Sequence, residues 1–291
     1  MIADVEGLPD AAFLTDEADL SDLRTTLTAF IHNRVDAADA SGVVVCMSGG
    51  IDSTVTATLC VEALGADRVS ALVLPCNITD ARDARDAEKI ARNLNLAPIT
   101  IQMRPIVRAF EDDVAPSLDG EADRHAAGNV VARLRMVIAY YVANRIGGLV
   151  CGTSNRTEFL LGYFTKYGDG AADLRPIVGL YKTEVRALAG YLDIAPTIIE
   201  KAPTAGFWAG QTDESDLGAP YGLLDLILHN LVDNDLGIEG TADSLGLDPN
   251  FIGQYAHEFL QHAHKRTRVP TPGVRQPPGD LFVELESRGS D

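Results

Sequence analysis

The segment at residues 43–55 constrains the fold of this chain more than any other part of the sequence. It reads Val-Val-Val-Cys-Met-Ser-Gly-Gly-Ile-Asp-Ser-Thr-Val. The β-branched start is typical of a buried parallel strand, and the residues after the glycine pair are compatible with a helix. A strand-to-helix turn gathers free backbone N–H groups, and glycines allow the backbone to close on an anion. The segment therefore predicts a site for phosphate.

The order of residues in this turn indicates which kind of phosphate site it forms. A Walker loop needs a lysine, and residues 41–60 contain none. The third glycine of the dinucleotide-binding fingerprint is also missing. The sequence Ser48-Gly49-Gly50-Ile51-Asp52-Ser53 resembles the pyrophosphate loop of the N-type ATP pyrophosphatases, which cut ATP between its α- and β-phosphates. The alternative is a plain strand–turn–helix in which Asp52 only interacts with the helix dipole.

Strand-like and helix-like segments alternate along the chain. We predict strands at residues 43–47, 68–74, 98–101 and 149–152, and helices at 21–36, 52–64, 79–95, 128–145 and from about 155. This alternation implies βαβ units, and hence an α/β fold with a doubly wound parallel sheet and helices on both faces. The loop's resemblance implies the Rossmann-like form of the adenine nucleotide alpha hydrolases. Ligands of such sheets bind beyond the carboxyl ends of the strands, where Ser48 and Thr153 are expected.

Residues 128–145 carry the clearest helical pattern in the sequence. Apolar residues recur there with helical spacing, and we expect the stripe that they form to lie in the core. They are Val130, Val131, Leu134, Val137, Ile138, Tyr141 and Val142. A second face carries Arg133, Met136 and Tyr140, which either lie at the surface or line a subunit interface.

The charge balance limits the partners of this chain. It contains 24 Lys+Arg and 42 Asp+Glu, a formal net charge of −18. This charge argues against nucleic acid or an anionic membrane as the main partner. The only lysines are Lys89, Lys166, Lys182, Lys201 and Lys265. An acidic, lysine-poor surface suits a cytoplasm of high salt, where charge repulsion is screened, so we hypothesise a halophilic source.

Other features of the sequence predict a cytoplasmic protein. No run approaches the ~18 apolar residues that a membrane span needs. The acidic N-terminus has no basic segment of the kind that begins a secretory signal. The four cysteines contain no C-x-x-C pair, so neither a zinc site nor a disulfide framework is expected.

Further motifs extend the resemblance from about residue 20 to residue 268 and narrow it to the ammonia-dependent NAD⁺ synthetases. They are Gly128-Asn129 with Ala132-Arg133-x-Arg135-Met136, Gly152-Thr153-x-Asn155-x-x-Glu158, the run from Gly162 to Gly170, Asp173-Leu174-x-Pro176, Leu180-Tyr181-Lys182-Thr183, Pro203-Thr204-Ala205-Gly206, Gly210-Gln211-Thr212-Asp213-Glu214 and His264-Lys265-Arg266. We therefore expect one synthetase domain at residues 21–268, after an acidic extension at 1–20. Prolines and glycines predict a loose tail at 269–291.

The resemblance also implies a reaction. The family amidates deamido-NAD⁺ with ammonia, using ATP and Mg²⁺, in the last step of NAD⁺ biosynthesis. The nicotinate carboxylate attacks the α-phosphate of ATP to give an adenylate and pyrophosphate, and ammonia then displaces AMP. A carboxylate is a poor electrophile, so adenylation supplies a leaving group, while magnesium and fixed N–H donors hold the departing pyrophosphate.

Residue roles carry over from the family only at matching positions. The expected ATP contacts are Met47, Ser48, Gly49, Gly50, Ile51, Asp52, Ser53, Thr54, Thr153, Lys182 and Thr204. The expected deamido-NAD⁺ contacts are Arg133, Lys166, Asp173, His264 and Lys265. The expected catalytic residues are Asp52, Lys182 and Asp173. Asp52 and Glu158 are the expected Mg²⁺ ligands, because this ion takes one or two carboxylates plus phosphate oxygens.

Some of these residues have simpler explanations. Glu158 stands three residues after Asn155, which is the spacing of a capping box, and Thr153 and Thr204 alone would be ordinary turn residues. Against this, three of the five lysines fall on expected ligand positions, and a polyanion on a protein of charge −18 needs local positive charge. Three histidines, at 257, 262 and 264, are expected on one helix without a shared face for a metal.

Two glycine-containing segments without periodicity, 162–173 and 203–220, are expected to be lids that keep water from the adenylate. In the second segment, Phe207-Trp208 has no role that we can derive. About forty residues precede Val43, too few for the amidase domain of glutamine-using enzymes. Free ammonia or a separate glutaminase is therefore expected to supply the nitrogen. The resemblance also implies a homodimer.

Other functions remain open from the sequence. The same loop serves GMP synthetase, argininosuccinate synthetase and enzymes that thiolate tRNA or add lysine to it, although the tRNA enzymes predict basic surfaces or added cysteine motifs. A non-catalytic nucleotide-binding module is an alternative of a different class, but binding alone does not need paired acids such as Asp52 and Glu158. Pyrophosphate release from ATP that depends on deamido-NAD⁺ separates these possibilities.

Overall fold

The computed structural model describes residues 13–76, 81–117, 123–204, 212–267 and 269. The strands are β1 (Val43–Cys46), β2 (Val69–Val73), β3 (Ile99–Thr100) and β4 (Leu149–Cys151). The helices are α1 (Glu17–Ala37), α2 (Ile51–Leu64), α3 (Ala81–Asn93), α4 (Arg104–Asp113), α5 (Arg124–Ile146), α6 (Arg156–Leu161), α7 (Lys182–Tyr191), α8 (Pro196–Ile199), α9 (Asp213–Leu217), α10 (Tyr221–Leu228), α11 (Gly237–Leu245), α12 (Pro249–Gln261) and α13 (Ala263–Arg266). Short 3-10 helices at Ala66–Arg68 and Ala115–Ser117 and a π-helix at His229–Asp233 also occur. None of the helices in these ranges has the length and apolar character needed to cross a membrane.

The strands form one parallel sheet in the order β3-β2-β1-β4. In the register of β1, Val43 lies opposite Val69 of β2 and Leu149 of β4. Side chains alternate across β1, so Val43 and Val45 pack in the core on one face and Val44 packs in the core on the other. All three valines are fully buried, as strands covered on both faces require. The predicted doubly wound α/β fold is confirmed.

Helices cover both faces of the sheet. α1, α2, α3 and α7 contribute to the core on one face, where Ile31, Leu59 and Leu188 are fully buried. α4 and α5 cover the other face, and α5 is buried there through Ala139 and Ala143. These small side chains allow α5 to pack closely on β1 and β4.

A third core lies outside the sheet and is built mainly by helices. Tyr221, Leu224 and Ile227 of α10 are fully buried in it, together with residues of α6, α11 and α12. The sequence patterns gave no separate prediction for these helices. α10 packs against both α6 and α7, two helices that carry predicted site residues.

Several predicted boundaries differ from the structure. α1 begins at Glu17 and not at Ser21, because the Asp16 carboxylate caps it by accepting a hydrogen bond from the Asp19 N–H (2.8 Å). The predicted strand at 98–101 is reduced to the two exposed residues of β3. The predicted lid at 203–220 contains the helix α9, and its residues 205–211, with Phe207-Trp208, lie outside the described residues. Residues 77–80 and nearly all of the tail after 268 also lie outside them.

Two predictions about helix faces were wrong. Val137 and Tyr141 were expected in the core but are 55% and 61% exposed, because α5 meets the sheet through its alanines. The three histidines do not share a helix, since α12 ends at Gln261 and His264 belongs to α13.

Candidate active site

The carboxyl ends of β1 and β4 form the edge of the sheet where the winding direction reverses. After β1 the chain builds β2 and β3 on one side, and it then places β4 on the other side of β1. Such a reversal leaves a crevice between the two loops that follow these strands. Ser48 follows β1 and Thr153 follows β4, and both line the same cavity.

The loop after β1 is held by its own hydroxyl groups. The Ser48 and Ser53 hydroxyl oxygens are 3.1 Å apart, and the Gly50 N–H donates to Ser48 Oγ (3.2 Å). The hydroxyls of Ser53 and Thr54 donate to the Gly50 carbonyl at 3.1 and 2.8 Å. Gly50 is the N-cap of α2 and offers no side chain to the first N–H groups of that helix. Unpaired N–H groups of this kind are the ones that bind an anion.

The fold itself requires a glycine at position 49. Its φ is +78°, in the left-handed region that glycine tolerates best. A Cβ added at Gly49 would lie 2.6 Å from the carbonyl oxygen of Asp83 in α3. The loop and the first turns of α3 can therefore approach each other only because this residue has no side chain.

Two acids and a lysine from three helices converge beside the loop. Asp52 lies in the first turn of α2, Glu158 in that of α6 and Lys182 in that of α7. The side-chain amide of Asn155 donates to Asp52 Oδ1 (3.1 Å) and to Glu158 Oε1 (2.8 Å). Lys182 Nζ pairs with Asp52 Oδ2 and lies 3.6 Å from Glu158 Oε1. We call Asp52, Glu158 and Lys182 the acid–lysine cluster.

Burial strengthens the interactions within the acid–lysine cluster. The Lys182 residue is only 1% exposed. Burial acts to lower the pKa of Lys182, but the charges of Asp52 and Glu158 outweigh it and raise the pKa above its usual value. Burial and the Asp52 charge raise the pKa of Glu158 to about 8, against the effect of Lys182. A cation bound beside the two acids would favour the ionised form of Glu158, because a nearby positive charge lowers the pKa of a carboxyl group.

The helix α6 is capped by Asn155. Its side-chain oxygen accepts a hydrogen bond from the Glu158 N–H (3.0 Å). The Glu158 carboxylate faces Lys182 and the Asn155 amide nitrogen. Asn155 therefore caps the helix as the spacing predicts, while the Glu158 carboxylate belongs to the acid–lysine cluster.

A third buried acid, Asp213, adjoins this cluster and was missed in the sequence analysis. Its carboxylate accepts hydrogen bonds from Tyr221 Oη (3.0 Å) and Tyr163 Oη (3.2 Å). Tyr221 Oη also lies 3.4 Å from Glu158 Oε1, and Lys182 Nζ lies 4.9 Å from the centre of the Tyr221 ring. Burial raises the pKa of Asp213. The Gly-Gln-Thr-Asp-Glu motif contained this residue, but its spacing could not place it beside Lys182.

Lys201 was also missed. Its ammonium donates to the Gly49 carbonyl (3.1 Å) and pairs with Asp83 (2.8 Å) and Asp86 (3.0 Å) of α3. It lines the same cavity as Lys182. The one signal in the sequence was the rarity of lysine in an acidic chain.

Three adjoining cavities surround these residues. The loop cavity, of about 210 Å³, is lined by Ser48, Asp52, Glu158, Lys182, Lys201 and Thr204 among others. The strand-end cavity, of about 190 Å³, is lined by Met47, Leu72, Val73, Leu74 and Arg135 among others. The helical cavity, of about 410 Å³, is lined by Asn129, Tyr163, Phe164, Asp169, His262 and Lys265 among others. Tyr163 and Asp169 line both the loop cavity and the helical cavity, so the two are neighbours.

Four of the five residues predicted to hold the acceptor lie together near the helical cavity. Arg133 Nε donates to the Lys166 carbonyl (3.3 Å), and Lys166 Nζ donates to the His264 carbonyl (2.6 Å). Lys265 Nζ donates to the carbonyls of Gly162 (2.5 Å) and Phe164 (3.0 Å). The contacts made by Lys166 Nζ and Lys265 Nζ join residues that are 98 to 103 positions apart in the sequence.

Asp173 is not brought to the acid–lysine cluster. Its carboxylate accepts hydrogen bonds from the Val150 N–H (2.7 Å) at the edge of β4 and from Tyr140 Oη (3.3 Å) of α5. It does not line any of the three cavities. Tyr140 lies seven positions after Arg133, so the two residues are on the same face of α5, and Asp173 binds to that face through Tyr140. The predicted catalytic and substrate roles of Asp173 stay predictions.

The other residues predicted to contact ATP differ in the cavity that they line. Met47 lines the strand-end cavity, and Thr153 and Thr204 line both this cavity and the loop cavity. Thr54 is 2% exposed, and its hydroxyl is used by the Gly50 carbonyl. Its contribution is therefore to the shape of the loop.

Comparison with known proteins decides the family. The family model for NAD synthase matches residues 23–269. The NH₃-dependent NAD⁺ synthetase of Methanosarcina mazei is 43% identical over 255 residues, which are 87% of this chain and 98% of the relative. This chain belongs to the NAD synthase family.

Other relatives of this NAD synthase family member agree with that assignment. The NH₃-dependent NAD⁺ synthetase of Halobacterium salinarum, a halophilic archaeon, is 41% identical over 88% of this chain and 94% of its own length. The solved structure of an NMN synthetase from Francisella tularensis superposes with a TM-score of 0.76 at 33% identity, covering 88% of this chain and 99% of that one. The sequence-based assignment to the ammonia-dependent NAD⁺ synthetases and their fold is confirmed.

The donor set of this NAD synthase family member fits Mg²⁺. Asp52 and Glu158 come from different helices, and both accept from the single Asn155 amide, so their oxygens converge. Within the described ranges, no three His, Cys, Asp or Glu side chains form a cage for a metal. Two carboxylates alone are what Mg²⁺ requires when phosphate oxygens and water complete its octahedron.

Proposed function

We propose that this chain uses ATP to amidate deamido-NAD⁺ with ammonia, through an adenylate, giving NAD⁺, AMP and pyrophosphate. The names of its relatives support this reaction. The observation that carries the proposal is the convergence of Asp52, Glu158 and Lys182 beside the uncapped N-terminus of α2. A site for ATP cleavage at the α-phosphate needs both the N–H groups and the charges.

In the first step, an oxygen of the nicotinate carboxylate attacks the α-phosphorus, and the bond to the bridging oxygen of the β-phosphate breaks. Asp52 and Glu158 would hold Mg²⁺, which supplies charge stabilisation on the phosphate oxygens when it is bound. The first N–H groups of α2 would donate hydrogen bonds to a pyrophosphate that leaves beside the loop, and their dipoles are already oriented before the reaction begins. Lys182 is fixed by two carboxylates, so it keeps its proton and its position.

We assign Lys201 to the pyrophosphate side of the same site. The loop cavity contains five carboxylates, of Asp52, Asp83, Glu158, Asp169 and Asp213. Its lysines are Lys182, which is held by the cluster, and Lys201, which is bound by the carboxylates of α3 and by the loop. A phosphate oxygen that replaces Asp83 or Asp86 as the partner of Lys201 would keep this ammonium paired while the triphosphate binds.

In the second step, the nitrogen of ammonia attacks the activated carbonyl carbon, the bond to the AMP oxygen breaks, and the nitrogen loses a proton. The adenylate must be kept from water until then. Tyr163 and Asp169 lie between the loop cavity and the helical cavity, so the carboxylate of an acceptor held on the helical side would enter the loop cavity past them.

A mononucleotide acceptor is the second candidate. The similar structure from Francisella tularensis is that of an NMN synthetase, at 33% identity. The two acceptors differ by an adenylate group, so the residues at Arg133, Lys166, His264 and Lys265 would decide between them only if they contact that group.

The test is pyrophosphate release by the purified protein with ATP, Mg²⁺ and ammonia. Matched reactions contain deamido-NAD⁺, nicotinate mononucleotide or no acceptor. We expect the deamido-NAD⁺ reaction to have a kcat/KM at least tenfold above that of the mononucleotide. A preference for the mononucleotide would favour the second candidate, and release that ignores both acceptors would contradict the synthetase assignment. Replacing ammonia by glutamine is expected to abolish amide formation.

We propose that the chain forms a homodimer through α4 and α5. Ile106, Phe110 and Val114 are 41%, 37% and 41% exposed at spacings of four residues, and Val137 and Tyr141 of α5 are exposed nearby in the same layer. An apolar surface of this kind on a charged protein marks an interaction site. In analytical ultracentrifugation, Val137→Asp is expected to give monomers, while Leu260→Asp, at a site 68% exposed on α12, leaves the dimer intact. A monomeric wild-type protein would contradict the proposal.

We propose that the acidic surface is suited to a cytoplasm of high salt. The net charge of −18 and the Halobacterium salinarum relative support this. Salt screens the repulsion between carboxylates, so the midpoint of thermal unfolding is expected to rise from dilute buffer to molar KCl. A protein that is most stable in dilute buffer would refute the proposal.

A further inference from the structure

Asp225 of α10 is the acid most completely buried among the described residues that no step of the reaction uses. It is 0% exposed. It lies in the helical core, on the helix that packs against both α6 and α7. A buried carboxylate is costly unless donors surround it, so its partners indicate what it is for.

The hydrogen-bond donors of Asp225 belong to two residues next to the acid–lysine cluster, Thr157 and Thr183. Thr157, which precedes Glu158, donates its hydroxyl to Asp225 Oδ1. Thr183, which follows Lys182, donates both its N–H (2.8 Å) and its hydroxyl (2.7 Å) to Asp225 Oδ2. One carboxylate therefore binds the first turn of α6 and the first turn of α7 at the same time.

The chain of hydrogen bonds also runs directly between these two turns. The Lys182 N–H donates a hydrogen bond to Thr157 Oγ1 (3.2 Å), and that hydroxyl in turn donates one to Asp225 Oδ1. The first N–H groups of a helix have no partner inside the helix. Thr157 and Asp225 satisfy those of Lys182 and Thr183, so the start of α7 is fixed against α6 through its backbone.

We propose that Asp225 is a positioning residue, which sets the distance between the Glu158 carboxylate and the Lys182 ammonium by joining Thr157 to Thr183. A carboxylate suits this role because it only accepts hydrogen bonds, and each group that faces it is a donor. An asparagine would turn an N–H₂ group toward one of those donors. The inference rests on the proposed function, since it assumes that the spacing of Glu158 and Lys182 matters for adenylate formation.

The test compares isosteric variants of the two threonines. Thr157→Val keeps the shape but removes the hydroxyl, whereas Thr157→Ser keeps the hydroxyl. We expect Thr157→Val to lower kcat for pyrophosphate release by about tenfold to a hundredfold, with KM for ATP and for the acceptor changed less than threefold, because displacement of a reacting group acts on the transition state. Thr157→Ser is expected to retain kcat within about twofold. Thr183→Val and Thr183→Ser form a second, milder pair, because the Thr183 N–H still binds Asp225.

Asp225→Asn should lower kcat as Thr157→Val does. The double variant should be no worse than the poorer single variant, since both remove the same connection. Asp233→Asn is the matched control. Asp233 also joins α6 to the segment before α7, through Arg156 and Tyr181 Oη (2.7 Å), but it binds side chains alone. We expect it to keep kcat within about twofold.

The outcomes separate a positioning role from a structural one. If Thr157→Val lowers the midpoint of thermal unfolding but keeps kcat per folded molecule, the inference is wrong. Equal losses in Thr157→Val and Thr157→Ser would also refute it, because the hydroxyl would not be the group that matters. A wild-type protein without acceptor-dependent pyrophosphate release would overturn the proposed function instead.

Discussion

The loop after β1 and the acid–lysine cluster bring their polar groups together in different ways. The loop, residues 48–53, uses backbone N–H groups of one continuous segment and the start of one helix. The cluster uses side chains from α2, α6 and α7 that are up to 130 positions apart in the sequence. A continuous segment is recognisable from its own residues, while a convergent cluster depends on the packing of every helix that supports it.

The difference appears again in what supports each region. The loop is stabilised by its own serines and by the absence of a side chain at Gly49. The cluster is stabilised from behind by Asn155 and by the network around Asp225, neither of which needs to touch a ligand. We therefore expect variants of the cluster to affect the chemical step most, and variants of the loop to affect ATP binding and stability.

The largest effect is expected from Lys182→Ala. The ammonium is buried and paired with both acids, so its loss removes the positive charge of the cluster and leaves the two acids with only the Asn155 amide between them. We expect adenylate formation to be abolished, with pyrophosphate release reduced by at least about 10²–10³-fold, while the fold is kept. Circular dichroism checks the fold, and Lys89→Ala, at an exposed site on α3, is the control. Normal pyrophosphate release by Lys182→Ala would remove the cluster from the mechanism.

A smaller effect is expected from Lys201→Met, which tests whether the N–H groups of the loop bind ATP without the Lys201 ammonium. Lys201 comes from the second half of the chain but binds the Gly49 carbonyl. Loss of a charged hydrogen bond of this kind costs about 1.5–3 kcal/mol, so KM for ATP should rise about tenfold or more with little change in kcat. Lys89→Met is the matched control. An unchanged KM for ATP would show that the N–H groups of the loop suffice.

The smallest effect is expected from a pair of glycine variants. Gly49 and Gly246 both have a positive φ, of +78° and +65°, but a Cβ at Gly246 would meet nothing within 4 Å. Each alanine should cost about 1–2 kcal/mol of unfolding free energy for the backbone alone. Gly49→Ala adds the contact with Asp83, so it should be the less stable variant and the one in which KM for ATP rises. Equal stabilities and equal KM values would show that α3 moves aside freely.

The fold was predictable from sequence to the extent that it depends on local patterns. The run Val43–Cys46 is apolar on both faces of a strand, and this could be read directly. The exposed positions of Val137 and Tyr141 could not be, because helical periodicity does not say which of two apolar faces meets the sheet. α5 buries Ala139 and Ala143 against the sheet, with side chains such as Leu134 and Ile138 partly buried beside them, and it leaves Val137 and Tyr141 exposed.

The candidate site likewise contains residues that motifs predicted and residues that only long-range contacts place there. Ser48 to Ser53, Thr153, Glu158 and Lys182 were found from motifs, whereas Asp213 and Lys201 were not. Asp213 gains its place from α9 and from two tyrosine hydroxyls, and Lys201 gains its place from contacts with α3. Neither set of contacts leaves a periodic signal in the sequence. Asp173 shows the converse, since its motif was readable but its carboxylate is bound to the edge of β4.

By itself, the sequence determined the strand-to-helix loop after β1, the parallel sheet and the family, because each depends on short runs of residue types whose backbone conformation is set locally. Only the tertiary structure decided which charges meet. The pairing of Asp52 with Lys182, the place of Lys201 and the hold of Asp225 on two helix starts all follow from long-range packing. Hydrogen bonds and ion pairs act over a few ångströms, so they exist only where the whole fold brings the groups together.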